Sequence, residues 1–237
     1  MDSPSARPDD DGMDRRARSD RRRALPAGLV ALWAAAIIGG FIWLGSYAAT
    51  PGQAHAAPEA LPAVITPAGA TATRTKPIVM MFVHPACPCT PASLDELAGA
   101  VGDHGADVSL IIAGPAAEAV QTHRAILATA DRFGWDVLTD PAGTLAHRFG
   151  AHTSGHTVCY DAAGALAFSG GVTATRGHRG PNAGAAAVAA ALAGATPDTD
   201  TAPVYGCPIF DPVSAGPGAD DPAGSCCAAE PPPDDTP

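Results

Sequence analysis

The sequence predicts an α/β domain held behind one membrane-crossing helix, and three observations carry that prediction. Between residues 76 and 194, short apolar runs of strand length alternate with stretches of helical spacing. Residues 24 to 49 contain no charged side chain. Cys87 and Cys89 stand where an apolar run gives way to a helix start, where unpaired N–H groups and the positive end of the helix dipole stabilise a thiolate.

The elements follow in order. Ile78 to Val83 is apolar on both faces, as a central strand covered on each side requires. Thr90 followed by Pro91 supplies an N-cap and a first-turn proline, Asp95 and Glu96 complement the dipole, and Leu94, Leu97 and Val101 share one face, so a helix follows. Val108 to Ala113 is a second strand closed by Gly114-Pro115. Val120, His123, Leu127 and Ala130 then keep helical spacing up to Phe133-Gly134. Asp136 to Thr139 gives another strand, Asp140-Pro141-Ala142-Gly143 a turn, and Thr144 to Phe149 a short helix. Thr157 to Tyr160 and Ala165 to Gly170 form a hairpin about Asp161-Ala162-Ala163-Gly164. Asn182 caps a last Ala-rich helix carrying Val188 and Leu192.

Composition bounds the class. With 46% hydrophobic and 16% charged residues in 237, the chain can bury the core of one ordinary domain and still carry extensions. The net charge of -10 is unevenly spread: residues 1 to 23 carry seven Arg against six Asp, residues 24 to 197 seven bases against ten acids, and the remainder eight acids and no base. No basic surface is left to neutralise phosphates, which argues against nucleic-acid binding.

At about 1.5 Å per residue the charge-free stretch 24–49 is long enough to cross roughly 30 Å of hydrocarbon, so it reads as a transmembrane helix. Arg15, Arg16, Arg18, Arg21, Arg22 and Arg23 precede it and belong on the cytoplasmic side, while Trp43 and Tyr47 suit the opposite interface. The expected arrangement is a single-pass protein of the inner membrane: segment 1–23 in the cytoplasm, tether 50–75, and domain 76–194 facing the periplasm or the cell exterior. Tail 195–237 is rich in Pro and Asp and expected to be mostly disordered, except for the apolar island 204–210, which can pack back. A cleavable signal peptide is the competing reading, since Ala54-His55-Ala56 has the small-x-small form. All six cysteines follow the apolar segment, in a compartment where disulfides persist.

A strand, a cysteine pair, a helix, a further strand and helix, and a hairpin with Tyr160-Asp161 and Gly164 at its turn resemble the thioredoxin-like fold, especially its membrane-tethered periplasmic branch of the TlpA type. Over residues 76 to 194 the resemblance implies a three-layer α/β/α sandwich on a central mixed sheet. It implies an attacking thiol at Cys87, a resolving thiol at Cys89, and protein thiols or disulfides as partners. The motif is Cys-Pro-Cys, one residue shorter than the family's Cys-x-x-Cys, and Gly155 stands where the family's cis-proline belongs. Three motifs, His-Pro-x-Cys-Pro-Cys-Thr at 84–90, Ser-Gly-Gly-Val-Thr-x-x-Arg-Gly-His at 169–178 and Tyr-Gly-Cys-Pro at 205–208, are similar to a group of bacterial membrane proteins labelled RedB-like.

The site's chemistry follows from its spacing. Cysteines two apart have Cα atoms about 5.5 to 7 Å apart, at or beyond the upper end of unstrained disulfide geometry. A bond between them is strained, which favours an oxidant or isomerase over a reductant, and Pro88 restricts the loop. The thiol–disulfide reading needs no cofactor. The same two sulfurs with the imidazole of His84 suit a soft metal, so a copper-binding or copper-delivery module is an alternative, as is a non-catalytic scaffold of the same fold. His84 is equally a simple strand-to-loop junction. Cys207 repeats the Cys-Pro element and is either a third thiol returning to the site or a solitary tail cysteine. Cys159, mid-strand, reads as a small buried hydrophobe, and Cys226-Cys227 as incidental tail thiols. Arg176, His178 and Arg179 lie in a Gly-rich loop, and His147, His152 and His156 show no ligand spacing. A Ser hydrolase finds no Gly-x-Ser-x-Gly elbow, and a peroxidase of the peroxiredoxin kind finds no Thr-x-x-Cys. The redox and copper readings both require the sulfur pair at the strand-to-helix junction and within reach of solvent.

Overall fold

Strand β1, Ile78–Val83, is buried along its whole length, and its two sets of alternating side chains fill two different cores. The computed structural model describes residues 11–62, 75–114 and 121–210, with side chains from residue 28 onward. Helix α1 spans Asp11–Ala49; its segment Gly28–Ala49 is long and apolar enough to cross a membrane. Trp33, Phe41 and Trp43 on it are exposed, which is costly in water and natural in lipid.

The domain continues through α2 (Thr90–Val101), β2 (Asp107–Ala113), α3 (Gln121–Phe133), β3 (Asp136–Asp140), α4 (Thr144–Arg148), β4 (His156–Tyr160), β5 (Leu166–Gly171), α5 (Ala183–Leu192) and β6 (Thr201–Ala202). The strands form one mixed sheet in the order β3-β2-β1-β4-β5-β6. β1 runs parallel to β2 and antiparallel to β4, with Ile78 opposite Asp107 and Tyr160. Val79, Met81 and Val83 face a core shared with Leu94 and Leu97 of α2, Ile126 of α3 and Val188 of α5. Ile78, Met80 and Phe82 face the other, with Ala146 of α4, Phe149, Tyr160, Ala57 and Ile209. This is the thioredoxin-like α/β/α sandwich on a mixed sheet that the sequence leads one to expect, with one difference: two irregular segments complete the layer built on α4.

Those segments are the stretch before the domain and the one after it. The supposed tether is tied down over residues 52–61: Gly52 N–H donates to Val204 O at 2.8 Å, His55 N–H to Gly150 O at 2.9 Å and Leu61 N–H to Gly164 O at 2.9 Å. The Tyr160 hydroxyl donates to Pro58 O at 2.8 Å. Over residues 199–210 the tail is tied down too. β6 pairs in parallel with β5, Ser169 opposite Thr201, and Val204, Cys207 and Ile209 are buried. Backbone pairing to a sheet end needs no side-chain period, so composition alone does not expose it. Residues 63–74, Pro115, Val120 and the tail from 211, with Cys226 and Cys227, lie outside the described residues.

Two local expectations are corrected. The cap of α2 is Cys89, not Thr90, and it makes no side-chain cap bond; Asp95 and Glu96 fall beyond the first turn. Asp95 instead accepts from Arg179 Nε at 2.6 Å, and Glu96 from the Gly180 N–H at 2.7 Å. On α3 the buried stripe is Thr122, Ile126 and Ala130, leaving Leu127 exposed, because that set satisfies the same helical spacing with the face turned by one residue.

Candidate functional site

Past Val83 the chain makes two successive tight turns. Cys87 N–H donates to His84 O at 3.1 Å and Thr90 N–H to Cys87 O at 3.2 Å, which sets Cys87 at the end of the sheet immediately ahead of α2. Pro88 is exposed and Cys89 half-buried, but Cys87 is fully buried. Facing it is the loop before β4. Gly155 N–H donates to Phe82 O at 2.8 Å with φ +93°, a conformation glycine adopts freely, and Gly155 thus closes the loop against β1. Ser154 Oγ accepts the His84 N–H at 2.9 Å and lies 3.2 Å from Thr90 Oγ1. The Thr90 hydroxyl therefore works across the site rather than as a helix cap.

The third wall is the tail. Ser154 N–H donates to Cys207 O at 2.8 Å, Ile209 N–H to His152 O at 2.9 Å, and Thr153 and Pro208 form an antiparallel bridge. Cys207 N–H points at Cys87 Sγ at 3.4 Å. A Cβ on Gly206 would collide with Ser154 O, so only glycine lets the tail lie this close. The Arg176 guanidinium donates to Gly206 O, and to Thr50 O at 3.3 Å. The motifs at 84–90 and 205–208 thus meet at one sulfur, and the motif at 169–178 braces the tail through Arg176.

Electrostatics follow from these contacts. Hydrogen bonds from the Cys207 thiol and then the Cys89 thiol, joined by the Cys207 N–H and the Ser154 hydroxyl, hold the Cys87 thiol far below the usual range, although burial pushes it the other way. These contacts favour the charged form of the Cys87 sulfur. None of Cys87, Cys89, Cys159 and Cys207 is in a disulfide. The expected reach of solvent is therefore not met at Cys87, which is buried with the tail against its sulfur; of the pair only Cys89 is partly exposed.

His84 is engaged by the local turn. Its Nδ1 accepts the Ala86 N–H at 3.2 Å, and its ring lies beside Gly114 at the end of β2. Among the described residues no group of three or more His, Cys, Asp or Glu side chains is disposed to hold a metal ion, the trio of His84, Cys87 and Cys89 included.

Two features escape the sequence. Ser154, which precedes Gly155 but lacks the Gly-x-Ser-x-Gly elbow of a hydrolase, is the hub of the site. A histidine cluster gathers three separate segments: the His55 and His152 ring centroids lie 4.2 Å apart, His147 and His152 5.3 Å, and Phe210 stacks on His147 at 3.7 Å. Burial first, then the neighbouring charges of His55 and His147, lower the His152 pKa. No spacing signals such a cluster.

No family model and no curated protein matches the chain. Among solved structures, an uncharacterised conserved protein from Geobacillus kaustophilus is similar at 21% identity and TM-score 0.48, covering 69% of this chain and 94% of that one. A hypothetical protein from Sinorhizobium meliloti 1021 is similar at 24% identity and TM-score 0.47, covering 68% and 93%. A secreted Mycobacterium tuberculosis disulfide oxidoreductase is similar at 21% identity and TM-score 0.31, covering 40% and 68%.

Proposed function

We propose that this chain is a membrane-tethered, extracytoplasmic thiol–disulfide oxidoreductase of the RedB-like or TlpA type, with Cys87 as the attacking thiol and protein thiols or disulfides as substrates. The observation that carries the reading is the Cys87 sulfur itself, ringed by hydrogen-bond donors from Cys207, Cys89 and Ser154 at a strand-to-helix junction. Donors aimed at a sulfur stabilise the thiolate, and the thiolate is the species that attacks a disulfide. Those donors also make Cys87 a good leaving group in the reverse direction. Two further thiols, Cys89 in the turn and Cys207 on the tail, lie beside it for the second step. Arginines before an apolar helix long enough to cross a bilayer favour a cytoplasmic N-terminus in the inner membrane and a domain on the far side.

The full chain in detergent tests this against the copper-carrier reading. Thiol–disulfide exchange and Cu(I) stoichiometry are measured for wild type, Cys87→Ser and Cys89→Ser. Exchange that vanishes with Cys87→Ser is the expected result. Stoichiometric Cu(I) binding without exchange would overturn it in favour of a carrier, and neither activity would leave a scaffold.

A further inference from the structure

We infer that Cys207, rather than Cys89, closes the disulfide on Cys87, and that the segment carrying it is the removable cover of the site. The inference rests on the reading of Cys87 as the attacking thiol and assigns its partner. Cys89 is separated from Cys87 by one proline inside a turn already closed by the Thr90 N–H to Cys87 O bond, so a link between them must distort that turn. Cys207 arrives from a different segment, 120 positions away in the chain, with its own N–H on the Cys87 sulfur. Its main chain is fixed on both sides by Ser154 N–H, by Ile209 N–H on His152 O and by Arg176 on Gly206 O.

The cover follows from the same contacts. Cys87 is fully buried while residues 206–209 lie on Ser154 and His152, so a substrate sulfur reaches it only when that short segment lifts. The Cys87 thiolate then attacks one sulfur of the substrate disulfide; that S–S bond breaks, a mixed disulfide forms, and the first substrate sulfur leaves and takes a proton from water. As the segment returns, the Cys207 sulfur attacks the Cys87 sulfur. The mixed disulfide breaks, the Cys87–Cys207 bond forms, and the Cys207 proton passes to the second substrate sulfur. The substrate gains two electrons and two protons, and the Cys87/Cys207 dithiol loses two electrons. Run backwards, the same steps oxidise a substrate dithiol.

The test uses the reduced full-length chain in detergent and an aryl disulfide probe, following the Cys87 peptide by mass spectrometry. In wild type, Cys87 should end linked to Cys207. In Cys207→Ser, the aryl adduct on Cys87 should persist at least about tenfold longer. A Cys87–Cys89 link in wild type, or an adduct in Cys207→Ser that clears at the wild-type rate, would sink the inference while leaving Cys87 as the nucleophile. If Cys87 takes up no probe even in wild type, the underlying reading fails first. The wild-type map decides the matter even if the variant is poorly folded.

Discussion

Cys87 and Cys159 are both 0% exposed, yet their chemistry is opposite. Cys159 sits in the middle of β4 among apolar side chains, and burial first, then the charge of Asp161, pushes its thiol up to about 12. Cys87 is as deeply buried, but its sulfur lies at the end of the sheet, where a turn, a loop and the returning tail all present donors to it. Burial alone would make both inert. The difference is the supply of hydrogen-bond donors to the charged form, and loops supply them where a strand interior, its N–H groups spent on the ladder, does not.

The largest expected effect that tests this contrast is Cys87→Ser, which should reduce thiol–disulfide exchange to the buffer rate. A neutral alkylating reagent at pH 7 should in parallel label Cys87 and spare Cys159 until the protein unfolds; labelling in the reverse order would break the comparison.

β4 carries a second group whose charged form is suppressed. His156, bonded through Nε2 to Ser169 Oγ at 2.9 Å, is brought down to about 4 by burial and then by the charge of His152. Its folded pKa lies below the unfolded value, so the unfolded chain takes up the proton more readily. Stability present above about pH 6.5 should therefore fall as pH drops towards 4, by about 3 kcal/mol from this group alone. Thermal melts across that window check it, and His156→Gln should flatten the slope.

Ser154→Ala comes next. It removes a donor to a charged sulfur, worth roughly 1.5 kcal/mol, so the acid limb of Cys87 labelling should move to higher pH, with about tenfold less thiolate below it. An unchanged labelling profile would show that Ser154 only shapes the loop. Cys159→Ala is the smallest: about 1 kcal/mol of stability lost in chemical denaturation, from the cavity it leaves, with exchange untouched.

Much of the fold is legible in the chain because its signals are local. β1 reads as a central strand from six consecutive apolar residues, and Asn182 reads as a cap from its position; its side chain does accept the Ala185 N–H at 2.8 Å. Thr90 misleads for the same reason, since cap statistics cannot foresee that Ser154 will engage its hydroxyl. The strap over 52–61 is invisible to periodicity, being held mainly by main-chain hydrogen bonds that any residue can make, whereas the apolar island 204–210 signals the tail's return, and Val204, Cys207 and Ile209 are buried.

By itself, then, the sequence determined an apolar N-terminal helix, an α/β domain and a sulfur at the mouth of a helix, all properties of neighbours along the chain. Only the tertiary structure decided which groups surround that sulfur. Ser154 and Cys207 lie far from Cys87 in the chain, and it is folding that pairs the tail with the loop before β4 and brings to a buried sulfur donors that favour its charged form.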